Sequence, residues 1–336
     1  MLLIILLFGS YDKGRWEESK ELWEKCADNI KLPTVYRNLS LVYYNKLKDG
    51  NSALKAMEKA FSIDKSDARI FFELDQLYKT LNFSLEKRLA NMNANADLLE
   101  KRDDLYTEYI TLLNMNGEYD NAYNRIMNHN FHPWEGGEGK IPAQYRIALI
   151  NKAKAEKNTE KNTEKAIEYL EKALVYPYNL GEGKLIGNMD NDIYYMLGNL
   201  YEDKEKSEQA YRLAARGEFN ISSAMYYNDQ PPQMMYYAAK AIEALGDKDE
   251  AKKRFNAFIE YANNHMNDEM KIDYFAVSLP DFLIFEGDLN KNNKVHCNLM
   301  AALGYLGIGD NDNAKKYAKQ GLELNQCHAE LRDIVK

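Results

Sequence analysis

The feature that most constrains this chain is a residue pattern that keeps returning along it. A small residue, usually five places after a glycine, is followed by packing residues four and seven places further on. "GDKDEAKKRFNAF" puts Gly246, Ala251, Phe255 and Phe258 at these places. "GDNDNAKKYAKQG" puts Gly309, Ala314, Ala318 and Gly321 there, "GEYDNAYNRIMNH" Gly117, Ala122, Ile126 and His129, and "GRWEESKELWEKC" Gly14, Ser19, Trp23 and Cys26. "EKAIEYLEKAL" supplies Ala166, Leu170 and Ala173 without the glycine, and "SEQAYRLAARG" supplies Ala210, Ala214 and Gly217. "GNSALKAMEKA" supplies Ala53, Met57 and Ala60 with its glycine shifted by two. A second pattern precedes several of these: Leu197, Gly198 and Tyr201 in "MLGNLY", Ala238, Ala239 and Ile242 in "YAAKAI", Ala301, Ala302 and Tyr305 in "AALGYL". Steps of three and four residues mark one face of a helix. Small residues on that face let two helices approach closely, and larger ones fill the space between pairs. The unit is therefore a helix–turn–helix, and no strand-period segment competes with it. With only 7 prolines in 336 residues, long helices are not interrupted.

These motifs resemble the tetratricopeptide repeat (TPR) family. The key small residue falls at 19, 53, 122, 166, 210, 251 and 314. The first step matches the family period of 34, and the gap of 69 from 53 to 122 is about two periods with a degenerate unit, "FFELDQLYKTLNFSLEKRL", between. About eight units would cover nearly the whole chain. The resemblance implies an all-α fold, an α-α superhelix of stacked helix pairs with a concave inner face. It reads as one continuous solenoid, with partly degenerate repeats over residues 1–100 and repeats joined by long loops over 101–336. The apolar run Leu2–Phe8 is far short of a membrane span and lacks a basic stretch before it. It reads as a buried helix end in a chain cut from a longer protein.

Surplus residues mark the later units, whose steps are 44, 44, 41 and 63. Apart from the polar "EKNTEKNTEK", a lengthened turn inside one unit, the surplus lies between units, so these loops gather on one rim of the solenoid. Two of them echo each other: "HPWEGGEGK" from His132 and "YPYNLGEGK" from Tyr176. Their composition, aromatics beside carboxylates, suits binding of a sugar face or of a protein surface rather than passive linkage. The candidate rim residues are Trp134, Glu135, Glu138, Lys140, Tyr178, Glu182, Lys184, Asp190, Tyr226 and Asp229, with Tyr227, Tyr274, Phe275, Phe282 and Phe285 as further loop aromatics.

Most other chemistry is disfavoured. The Gly-Glu-Gly-Lys echo lacks the first glycine and the Ser/Thr of a phosphate loop, and no strand precedes it as a dinucleotide fingerprint requires. "DLNKNNKVHCNL" starts like a calcium loop at Asp288 but lacks its glycine and final glutamate. Asp190 and Asp192 read more simply as helix N-caps. Histidines 129, 132, 265, 296 and 328 and cysteines 26, 297 and 327 have no metal-ligand spacing, and His129 reads as a structural histidine. No catalytic residue, metal or cofactor is expected. A formal charge of −8 gives no groove for nucleic acid, and no membrane contact is expected. The compartment is not fixed by three dispersed cysteines, though cytoplasm is favoured.

The TPR resemblance also makes the concave groove a candidate ligand surface. In register it would be lined by Arg37, Tyr44, Asp192, Tyr195, Asn199, Tyr236, Lys240 and His296, with Tyr195, Asn199, Tyr236 and Lys240 as the candidate contacts. The carboxylate-clamp residues of the co-chaperone members are not matched there. The phrases "HPWEGGEGK", "YPYNLGEGKL", "DNDIYYMLG", "YYNDQPP" and "KIDYFAVSLPDFLIFEGDLN" are similar, over about residue 100 to the end, to the C-terminal repeat region of bacterial proteins with an N-terminal DUF5107 domain. That resemblance implies a bacterial origin and a carbohydrate context. Two functions follow as expectations. One is a scaffold docking a protein partner or the chain's own missing N-terminal domain. The other is a glycan-binding accessory that lends its loops to a carbohydrate site.

Overall fold

A computed structural model describes residues 16–157, 162–185, 187–223, 229–271 and 284–336. The apolar N-terminal stretch, Tyr226, Tyr227, Tyr274, Phe275, Phe282 and the centre of "EKNTEKNTEK" lie outside the described residues. Among the described residues there are seventeen α-helices and no strand, so the fold is all-α and built from helix pairs. None of these helices is long and apolar enough to cross a membrane. The chain divides into two compact units: residues 16–109 with 284–287, and residues 110–271 with 288–336.

Unit 1 contains α1 (Trp16–Asn29), α2 (Pro33–Leu41) running into a π-turn (Val42–Lys46), α3 (Gly50–Ile63), α4 (Ala68–Thr80), α5 (Leu85–Ala94) and α6 (Ala96–Leu99). The division falls inside α7 (Asp103–Met115). Side-chain caps set the helix starts: Asp49 accepts from Ser52 N, Asp67 from Arg69 N and Ile70 N, and Ser84 from Lys87 N. Each satisfies backbone donors that the first turn leaves open. These caps also explain the degenerate unit. Ala53 stands four residues after the cap of α3, and four after the cap of α5 stands Arg88. A fully buried arginine thus occupies the place of a small residue, which hides the repeat from a search for alanine. It is far larger than the alanine of the other units, and its buried charge must be neutralised. Asp75 takes Arg88 Nε at 3.1 Å and Nη2 at 2.6 Å, and Glu108 takes Nη2 at 2.6 Å.

Unit 2 continues with α8 (Tyr119–Met127), α9 (Lys140–Lys157), α10 (Thr163–Ala173), α11 (Asn191–Leu200) and α12 (Lys204–Ala214). Then come α13 (Pro232–Ala244), α14 (Lys248–His265), α15 (Leu289–Gly307), α16 (Asn311–Leu324) and α17 (Ala329–Val335). Helix starts again give the register. Asp247 and Asp310 cap α14 and α16, four residues before Ala251 and Ala314. Asp203 caps α12, so the equivalent residue there is Ser207, not Ala210. The triplet is Ser207, Tyr211, Ala214 rather than Ala210, Ala214, Gly217, a correction of three residues. Ser207 Oγ donates to Gly198 O at 2.6 Å, and a Cβ on Gly198 would lie 2.6 Å from the Tyr211 ring. The glycine of the older helix and the tyrosine of the newer one are therefore size-matched. Elsewhere Phe255 and Phe258, both fully buried, fill the space between α13, α14 and α15 with Met235, Ala239, Cys297, Met300 and Ala301.

The turn glycines have a conformational reason. Gly117, Gly246 and Gly309 take φ of 84°, 106° and 84°, the left-handed region that Cβ disfavours. In the unit whose glycine is displaced to position 50, Lys48 takes that place instead, with φ 54°.

Candidate functional site

The two echo loops lie between α8 and α9 and between α10 and α11, and they brace one another. A 3₁₀ turn, Tyr178–Leu180, buries Leu180. Next to it Asn179 accepts from Phe131 N at 2.9 Å through its carbonyl, while its side-chain amide donates to Ile126 O and His129 O at 2.7 and 2.9 Å. Those two carbonyls belong to the end of α8 and the residues after it, where helix geometry leaves acceptors open. Gly181 has φ 73°, and a Cβ on it would lie 2.4 Å from Phe131 O. Only glycine allows so close an approach. Glu182 Oε2 accepts from Gly139 N at 2.7 Å, so one echo caps the other. Lys184 Nζ donates to Leu174 O at 2.8 Å and pairs with Asp190 Oδ2 at 2.6 Å.

The echo is not an equivalent structure twice over. Lys140 is the first residue of α9, whereas Lys184 precedes α11 by several residues. Trp134 is half-buried, with its ring so close over Gly137 that a Cβ there would come within 2.1 Å of it. Glu135, Glu138 and Lys140 are exposed. His129 packs edge-on against Phe131, with centroids 4.6 Å apart.

Asp190 and Asp192 do not cap α11 as the sequence suggests. Asp190 holds the N-cap position, yet its carboxylate turns to Lys184 and, at 3.5 Å, to Arg146 Nη2. Asp192 lies within the first turn, where Oδ1 accepts from Arg146 Nη2 at 2.8 Å and from Ile193 N at 2.8 Å. Burial raises the Asp192 pKa above the ordinary aspartate value, and Arg146 only partly offsets this.

The braced loop presents apolar side chains outward. Tyr178 is 100% exposed, Val175 and Leu185 65%, and Met189 36%, four of the large exposed hydrophobics of the described chain within one loop. Beside it opens a cleft of about 780 Å³, in which Lys184, Asp190 and Asp229 of the expected rim come together with Asn188, Arg216, Asn220 and Gln230. Val175, Leu185 and Met189 are not among the aromatics and carboxylates that mark these loops in the sequence. Apolar residues between loop glycines were the available signal.

The inner face of unit 2 holds a second cavity, about 460 Å³, lined from α9, α11, α13, α15 and α17. Tyr236 and Asp192 line it. Tyr195, Asn199 and Lys240 do not: Tyr195 packs on Tyr211 and Tyr237, Asn199 accepts from the Tyr211 hydroxyl, and Lys240 pairs with Glu243. Met196 stands on α11 where Tyr195 and Asn199 were placed, a small difference in helix phase. His296 bonds Ser222 O at 2.9 Å, and burial lowers its pKa. α17 lines one side of this cavity. Leu331 is fully buried in the terminal core, while Glu330, Asp333 and Ile334 border the cavity. Among the described residues no group of three or more His, Cys, Asp or Glu could hold a metal ion.

No family model matches the chain. Among solved structures it is similar to a tetratricopeptide repeat protein from Parabacteroides merdae, at 13% identity and TM-score 0.40, covering 99% of this chain and 96% of that one. It is also similar to the C-terminal part of a TPR repeat-containing protein from Cytophaga hutchinsonii, at 16% identity and TM-score 0.29, covering 98% of each. The helix-pair architecture rests on the helices described above.

Proposed function

We propose that this protein is a non-catalytic helical-repeat scaffold that docks a protein partner, or another domain of a longer protein, through the braced loop of unit 2. The observation that carries this reading is the exposure of Val175, Tyr178, Leu185 and Met189 on a backbone held by Asn179, Glu182 and Lys184. Covering a large apolar side chain stabilises by about 1.5–3 kcal/mol. A free loop would turn some of these inward; a braced one keeps them outward and pre-ordered, which lowers the entropy cost of docking. The inner cavity lacks such an exposed apolar patch, and α17 takes up one side of it.

A photocrosslinking amino acid in place of Tyr178 in the source cell tests the proposal. Adducts with one protein are expected, and they should vanish on adding Leu185→Ser. Equal adducts from the exposed helix position Glu208 would sink it.

The cleft beside the loop favours a second reading, a glycan-binding accessory. Its amides, Asn188, Asn220 and Gln230, with Asp229 and Tyr194, offer the mixed donors and acceptors that sugar hydroxyls need. The resemblance of the loop phrases to the DUF5107-linked repeats supplies the carbohydrate context. Calorimetric titration with a glycan panel, using Asn220→Ala as control, decides it; flat titrations throughout would remove this reading.

A further inference from the structure

The π-turn of unit 1 does something the repeat pattern does not require. Between Val42 and Lys46 the helix widens, with Leu47 N bonding Val42 O at 3.1 Å. Such turns recur at functional sites because they re-aim consecutive side chains. Here they aim Tyr44, Asn45 and Lys46 at residues 284–287, more than two hundred positions away. Asn45 Nδ2 donates to Ile284 O at 2.8 Å, and Asn45 Oδ1 accepts from Glu286 N at 2.9 Å. One side-chain amide thus satisfies the backbone on both sides of Phe285, as a neighbouring strand would. Phe285 is 1% exposed and meets the Tyr44 ring edge-on at 5.4 Å. Glu286 pairs with Lys46 at 2.7 Å and Lys48 at 3.2 Å, and Lys48 reaches it from a left-handed backbone. Lys46 also lies 4.9 Å from the Trp16 ring centroid. Burial works against ionised Glu286, but the two lysines outweigh it and its pKa falls below the usual value.

This is the anatomy of peptide recognition. Backbone bonds hold the segment on either side of its bend, a ring pocket selects the central residue, and two cations select the next. We infer that unit 1 carries a recognition site for a short, bent peptide segment reading aliphatic–Phe–Glu, held closed in cis by Ile284, Phe285 and Glu286. The occupant it would take in trans is a partner segment of that same chemistry. The cis segment sits in the long connection between α14 and α15, so it competes as a tethered ligand at high effective concentration.

The test uses the full chain and a fluorescein-labelled peptide, LIFEGD, followed by fluorescence anisotropy. Phe285→Ala weakens the cis ligand, and the peptide should then bind at least about tenfold tighter than to the parent protein. Adding Asn45→Ala should abolish that gain, and the peptide LIAEGD should not bind. If Phe285→Ala fails to fold by circular dichroism, Glu286→Lys, at a half-exposed position, reads the same gain. Peptide LIFKGD should bind a Lys46→Glu, Lys48→Glu variant better than it binds the parent. Equal binding to the parent and to the cis variants, or binding indifferent to Asn45→Ala, would overturn the proposal and leave the contact as packing alone.

Discussion

Replacing Arg88 by methionine should cost unit 1 about 3–5 kcal/mol at pH 7, because it strands a buried charge. Arg88 and Asp75 both have fully buried side chains, and Glu108 is 18% exposed. The two carboxylates differ in a way that fixes the outcome. Burial raises the Asp75 pKa, and Arg88 is its main compensating cation. Burial also penalises Glu108, but Lys79 and Arg88 together outweigh it and hold its pKa well below the ordinary glutamate value. Without Arg88, Glu108 keeps Lys79 at 3.1 Å, whereas Asp75 loses its partner. A domain of this size has only about 5–15 kcal/mol of stability in all, so the change is large. The pH dependence follows from the sign of the shift. A carboxyl whose folded pKa is raised favours folding below its unfolded value of about 3.8 and opposes it as pH rises through the folded value. The deficit of Arg88→Met should therefore shrink on acidification and be fully developed at neutral pH. Arg88→Met with Asp75→Leu should recover most of the loss, since an apolar pair of similar volume is close to neutral. Urea titrations by circular dichroism at pH 5 and pH 7.5 measure all four corners of the cycle. A single-variant cost below about 1 kcal/mol, or a double variant no more stable than the single, would refute the reasoning.

Gly181→Ala should lower the stability of unit 2 by about 1–3 kcal/mol, through positive φ and collision with Phe131 O, with faster hydrogen exchange at Phe131 N as the local readout. Phe255→Ala should cost about 3–5 kcal/mol in thermal or urea unfolding, because Gly304 and Gly307 pack against that residue and cannot fill the void. Leu185→Ser should leave stability within about 0.5 kcal/mol while abolishing adducts from the probe at position 178, since the Leu185 side chain is 65% exposed. Burial pushes the Cys297 thiol up to about 11, so at pH 8 iodoacetamide should label it about a hundredfold more slowly in the folded protein than in urea. Comparable rates would contradict its burial.

Much of the architecture was legible because its code is local. Small residues at helical spacing specify close helix pairs, and the caps Asp49, Asp247 and Asp310 lie within the same few residues as the starts they set. The unit around Arg88 was obscure because an arginine and a distant carboxylate replace an alanine, a substitution that only the burial of both explains. The register around Ser207 slipped because alanine recurs at 210 and 214, and only the cap at Asp203 chooses between them. Among the candidate site residues, the rim was partly visible: Lys184, Asp190 and Asp229 do converge on one cleft. The inner-face candidates Tyr195, Asn199 and Lys240 meet neighbouring side chains instead of the cavity, because each step along a helix turns a side chain by about 100°.

The amino-acid sequence by itself determined that this is a chain of helix pairs with long loops in its later part, because helical period, capping and turn geometry act over a few residues. Tertiary structure alone decided that the two echo loops brace each other through Glu182 and Asn179. It alone decided that α17 borders the inner-face cavity and that Asn45 reads the backbone around Phe285. Those contacts join residues from tens to hundreds of positions apart, and nothing in the local pattern encodes which distant partner will satisfy a side-chain amide or carboxylate.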